Sequence, residues 1–148
     1  MDIISHGLWA TLLVKIFRER YAQSAHLGIA FLFGVIPDII AFAFLTIWST
    51  MNFGILHPED HGASMTGTAG PFLNVLSETL YQFTHSLVVV LIVFLVIYVI
   101  SRKIYIVLLG WPLHVLLDIP THTVDFYPTP FLWPVSEFVV NGFMWSQE

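Results

Sequence analysis

The sequence predicts an all-α protein, a polytopic membrane bundle of four to five helices. Three observations carry that expectation. Of 148 residues, 57% are hydrophobic and only 10% charged, whereas a soluble domain carries about a quarter charged residues. The mean hydropathy is +0.81. Long apolar runs approach the roughly 20 residues a helix needs to cross a bilayer, and Gly, Ser, Thr and Pro collect between them. Four or five such spans use nearly the whole chain, so 1–148 reads as one integral membrane domain with no room for a separate soluble module.

Residues 2–20 form the first expected helix, with Asp2 as its N-cap and Lys15, Arg18 and Arg20 toward its end, where cations suit the helix dipole. It either spans or lies partly embedded. A polar YAQSAH break leads to a second helix over 27–50, apolar except for Asp38 and kinked by Gly34 and Pro37. Residues 52–70, rich in Gly, Ser and Thr, read as a loop. A third helix is expected to start between Pro71 and Ser77 and to run to Ile100, through fourteen uninterrupted apolar residues from Leu87. After a tight turn at Ser101, Arg102 and Lys103, a short fourth span covers 104–119 and is ended by Pro120. The segment THTVDFYPTPFLWPVSEF reads as a Pro- and aromatic-rich interfacial cap over 120–135, followed by a short helix.

All five Lys and Arg residues lie at 15–20 and 102–103, and the positive-inside rule assigns both places to the cytoplasm. The chain is thus expected as a multi-pass protein of the cell (inner) membrane, with 52–70 and 120–135 facing outward and membrane lipids as its partners. A formal charge of −5 excludes a nucleic-acid partner, which demands a basic footprint. Cysteine is absent, which removes disulfides and thiolate metal sites and leaves His and carboxylates as ligands. The N-terminal MDIISHGLW lacks the positive region and cleavage site of a signal peptide, so it is expected to be retained.

Counting helical rise places the ionisable residues of four helices at a similar depth. At 1.5 Å per residue, His85 lies about 25 Å above Arg102, Asp118 about 22 Å above Lys103, Asp38 roughly 20 Å above Arg20, and His6 roughly 18 Å above Arg18. His114 is one turn from Asp118. Each embedded Asp costs about 2.5 to 3.5 kcal/mol on insertion scales. A divalent cation offsets that cost, and neutral imidazoles with ionised carboxylates are what Zn²⁺, or Mn²⁺, accepts without thiolates. His114 and Asp118 share a helix face by their i, i+4 spacing, and His122 is one turn further on. Pro37 opens the second helix beside Asp38, where irregular backbone suits a cavity. The expected metal ligands are therefore His6, Asp38, His85, His114, Asp118 and His122, around one or two ions. Glu78, seven residues before His85, is expected behind the ligands on the same face. His57, Glu59, Asp60 and His61 of HPEDH are a further possible ligand source, and His26 reads as an interfacial residue.

SHGLW near the N-terminus, GVIPD at 34–38, THS at 84–86 and HVLLDIPTH at 114–122 together resemble the YdjM-like family of membrane-bound metal-dependent hydrolases. The resemblance covers most of the chain outside 51–76. It implies a helical membrane protein with a metal hydrolase site at His6, Asp38, His85, His114 and Asp118. The residue order is also similar to the zinc-ligand order of the phospholipase C and nuclease P1 superfamily, which implies His122 as a following ligand. Where the YdjM-like family commonly carries His-Arg before THS, this chain has Tyr81, Gln82 and Phe83.

The resulting functional expectation is a metal-dependent hydrolase with Asp38, His114 and Asp118 at the catalytic centre, acting on a lipid or lipid-linked ester or phosphoester near the outer membrane face. The alternative is a non-enzymatic protein with a structural metal site or a His/Asp relay for protons or metal ions. Both bind a cation or a proton. Only the first turns over a substrate.

Overall fold

The computed structural model describes residues 2–21, 24–53 and 70–143. His57, Glu59, Asp60 and His61 lie outside them. The described residues form α1 (Ile3–Tyr21), α2 (Leu27–Phe53), α3 (Gly70–Thr84), α4 (Leu87–Ser101), a 3-10 turn at Ile106–Leu109, and α5 (Gly110–Thr121). No strand occurs among them, so the all-α expectation holds. Among the described residues, by length and composition only the Leu27–Trp48 part of α2 can cross a membrane alone, and α3 with α4 qualifies only as a bent pair.

Asp2 caps α1 as its position suggests. Its carboxylate accepts the Ser5 backbone N–H at 2.9 Å and the Ser5 hydroxyl at 2.6 Å, which satisfies a donor the first turn leaves open.

Glycine and alanine let three helices approach closely. A Cβ on Gly34 of α2 would lie 2.7 Å from both the Ala10 Cβ and the His6 carbonyl oxygen of α1. One on Gly110 of α5 would lie 2.8 Å from the Ala30 carbonyl oxygen of α2. Ala30 and Gly34 are four residues apart, the small-residue spacing that brings helices into backbone contact. The same stripes continue into polar residues. His6 precedes Gly7, Asp38 follows Gly34 by one turn, and His114 follows Gly110 by one turn. The close crossing thus delivers those three side chains to one point.

The expected single third helix is two helices, α3 and α4, which meet at 63°. The physical cause lies in Thr84, His85 and Ser86. Ser86 is extended, and its Oγ caps α4 by accepting the Val89 N–H at 3.2 Å while donating to the Trp133 carbonyl. Leu87 N–H donates to Phe131 O at 2.9 Å, and Trp111 Nε1 donates to Thr84 O at 2.7 Å. Backbone groups released by the break thus find distant partners. The straight-helix depth count does not apply across this bend.

The short helix expected after 135 is also absent among the described residues, where 122–143 form turns and an isolated Thr123–Phe126 bridge. The tail instead returns along the end of α5, with Gly142 N–H on His122 O and Phe143 N–H on Pro120 O, both at 2.8 Å. Gly142 is required there, because a Cβ would fall 2.3 Å from the Pro120 carbonyl oxygen. α5 itself runs one residue past Pro120 to Thr121.

Candidate metal centre

Asp38, His85, His114 and Asp118 converge in the interior and each offers one ligand atom within 4.8 Å of the others. His85, His114 and Asp118 are fully buried, and the Asp38 side chain is 10% exposed. His114 comes from the middle of α5, one turn before Asp118. Asp38 comes from α2 beside Pro37. His85 comes from the break between α3 and α4, where the bend lets its ring leave α3 toward α2 and α5.

Backbone acceptors set the two imidazole tautomers. His114 Nδ1 lies 2.7 Å from Gly34 O, and a carbonyl can only accept, so Nδ1 carries the proton. His85 Nδ1 lies 3.1 Å from Tyr81 O and 3.0 Å from Thr84 Oγ1. The Thr84 hydroxyl donates to Leu80 O at 2.8 Å, so it also receives from Nδ1. In the neutral rings both Nε2 atoms therefore carry lone pairs, and they face each other at 3.1 Å. Holding one ring nitrogen by a carbonyl so that the other is aimed is the usual outer layer of a metal site.

The carboxylates complete the figure. His114 Nε2 is 3.1 Å from Asp118 Oδ2 and 3.5 Å from Asp38 Oδ1. His85 Nε2 is 3.5 Å from Asp118 Oδ2 and 3.4 Å from Asp38 Oδ1. A tetrahedral zinc with bonds of about 2.0 to 2.1 Å has ligand atoms about 3.3 to 3.4 Å apart. Five edges of this set, at 3.1 to 3.5 Å, match that spacing. Four acceptors facing inward are mutually repulsive unless a cation, or protons, sit among them. The set can hold a metal ion.

His6 stands on the outer side of both carboxylates. Its Nε2 is 2.9 Å from Asp118 Oδ1 and its Nδ1 is 3.5 Å from Asp38 Oδ2, the oxygens opposite those that form the tetrahedron. The ring packs on His114 at 3.9 Å between centroids and is 1% exposed. His122 is more remote, with Nδ1 3.8 Å from Asp118 Oδ1 and 3.2 Å from Thr129 Oγ1. Burial lowers the His122 imidazole to about 4, which leaves it neutral at pH 7. Glu78 is exposed and lines an open cleft with Tyr81 rather than joining the four ligands.

Three contributors escaped the sequence reading. The Gly34 carbonyl orients His114, the Thr84 hydroxyl orients His85, and the Tyr81 ring stacks on His85 at 3.9 Å and 26°. A backbone carbonyl leaves no residue signature. Thr84 and Tyr81 carried one, since they precede His85 by one and four residues.

No family model, no curated protein and no solved structure matches this chain.

Proposed function

We propose that this protein is a membrane-embedded, metal-dependent hydrolase whose zinc is held by Asp38, His85, His114 and Asp118. The observation that carries the metal is the set of five ligand-to-ligand distances, 3.1 to 3.5 Å, among atoms whose lone pairs converge. A zinc held by these residues would supply a bound water of pKa near 7 and a Lewis acid for an ester or phosphoester oxygen once one ligand, such as the partly exposed Asp38, left a position open. Asp38 is the least buried of the four, its side chain 10% exposed. His6 lies against both carboxylates from behind. The resemblance to the YdjM-like hydrolases points to the same reaction class.

A multi-pass setting in the cell (inner) membrane is supported by the inverted pattern of burial. His6, Asp38, His85, His114, Asp118, Thr84 and Ser86 are inside, while Leu8, Leu12, Leu32, Ile47, Leu91, Leu95 and Ile100 are exposed. Continuous apolar exteriors of this kind need a nonaqueous neighbour. With 15–20 and 102–103 toward the cytoplasm, the 120–135 segment meets the outer leaflet, and a lipid or lipid-linked ester is the substrate within reach.

A second reading is a structural metal that ties four chain segments together. It is favoured by the closed set of four protein ligands, the pattern of structural zinc. Elemental analysis of the purified chain, with incubation of zinc-loaded, chelator-stripped and Asp38→Asn protein in a mixed lipid extract, separates the two. The hydrolase reading expects about one zinc per chain and product release from the loaded wild type alone. Stoichiometric zinc without turnover, and a melting temperature that drops on stripping, selects the structural reading. A small fraction of any transition metal ends both.

A further inference from the structure

We propose that the cleft beside the metal centre binds an organic ammonium group. The cleft has a volume of about 550 Å³ and is framed by α3 on one side and the 127–139 chain on the other. Tyr81, Tyr127 and Trp133 supply aromatic lining, and Glu78 and Glu137 bring carboxylates from the two opposite elements, with Gln82 one turn beyond Glu78. Among the described residues no Lys, Arg or His lines it.

That combination is selective. An anionic group would meet two carboxylates and no cation. A purely apolar group would gain nothing from the two carboxylates. An ammonium or quaternary ammonium is attracted both to the carboxylates and to the negative faces of Tyr and Trp rings, and its bulky apolar substituents suit the same rings. The aromatic wall is itself fixed. The Tyr81 hydroxyl donates to Tyr127 O at 2.9 Å, and the Tyr81, Tyr127 and Phe42 rings pack with centroids 5.1 to 5.8 Å apart. A preformed wall of this kind needs little ordering on binding.

The Tyr81 ring lines the cleft and also stacks on His85. A ligand whose cationic end occupies the cleft therefore lies next to the metal centre. The proposal does not depend on any chemistry at that centre. Should the hydrolase reading hold, it narrows the substrate to esters that carry an amine or quaternary ammonium.

The test uses the full chain in a maltoside detergent, titrated calorimetrically with choline and with 3,3-dimethylbutan-1-ol, in which a carbon replaces the charged nitrogen. Choline should bind saturably, and the neutral isostere at least tenfold more weakly. Glu78→Gln and Glu137→Gln should each weaken choline about tenfold. Both residues are exposed, so the variants should keep the wild-type melting temperature. Chelator-stripped protein should bind choline as the loaded protein does, which separates this site from the metal reading. Equal binding of choline and its isostere, no saturation by about 10 mM choline, indifference to both substitutions, or loss of choline binding on stripping would overturn the proposal.

Discussion

Replacing His114 by alanine tests the metal centre most directly. The ring is fully buried, and its Nε2 forms three tetrahedron edges, at 3.1 Å to His85, 3.1 Å to Asp118 and 3.5 Å to Asp38. Structural zinc binds with about 10 to 16 kcal/mol, so one ligand of four carries roughly 2.5 to 4. At 1.4 kcal/mol per decade, His114→Ala should weaken zinc roughly 10²- to 10³-fold. The same number appears in stability. Free zinc at 100 times the wild-type dissociation constant stabilises the fold by about 2.7 kcal/mol. At that concentration the variant sits at or below its own dissociation constant and should gain under about 0.5 kcal/mol. Competition with a chromophoric chelator measures the first quantity, and thermal unfolding with and without zinc measures the second. His26→Ala, an exposed histidine away from the centre, should change neither. A His114→Ala protein that keeps its zinc affinity within about threefold, and keeps the zinc-dependent rise in melting temperature, would refute the ligand assignment.

His6→Ala should lower zinc affinity about 10- to 100-fold while leaving full occupancy attainable at high zinc, because the His6 ring lies against both carboxylates on the side away from the other three ligand atoms; unchanged affinity by chelator competition counts against that role. Gly34→Ala should destabilise by about 1 to 3 kcal/mol, since its Cβ would fall 2.7 Å from Ala10 and from the His6 carbonyl; a thermal shift reads this directly. Ser86→Ala removes the α4 cap and the bond to Trp133, so about 1 to 2 kcal/mol should be lost, with faster hydrogen exchange at the Val89 amide. Zinc affinity should fall on acidification, because protons compete with metal for the two imidazoles. The loss should steepen toward about two decades per pH unit as the pH falls, one proton for each imidazole. Dissociation constants that stay flat from about pH 5 to pH 8 would contradict histidine ligation.

The all-α class, the Asp2 cap, the basic end of α1, and the shared face of His114 and Asp118 were all legible, because each is decided within one or two helical turns. Four of the six residues expected at the site, Asp38, His85, His114 and Asp118, form the buried group, and their clustering was legible for a related reason. A charged carboxylate inside an apolar run has a cost that only a partner can offset, and Asp38 and Asp118 announced it. The meeting of several helices at one point followed from helical rise, although that count treated α3 and α4 as a single straight rod.

The convergence was therefore reached despite a wrong element, and the tertiary structure decided what the count could not. Fourteen apolar residues predict a helix from Leu87 onward, yet Ser86, although an N-cap residue type, does not by itself announce the 63° bend. The bend becomes affordable through Trp111, Phe131 and Trp133, residues 27 to 47 positions away, which take up the exposed backbone and the Ser86 hydroxyl. In the same way, Gly34 and Gly110 show small residues in the sequence, but only the crossing of α1, α2 and α5 reveals that they let the Gly34 carbonyl reach His114 and aim its other nitrogen. The sequence by itself determined the helical class, the capped start and basic end of α1, and the chemistry of the polar residues, which are local properties of the chain. The direction of each lone pair, the separation of the tetrahedron from the His6 side of the carboxylates, and the aromatic cleft behind Tyr81 depend on groups far apart in sequence, and only the packed chain brings those together.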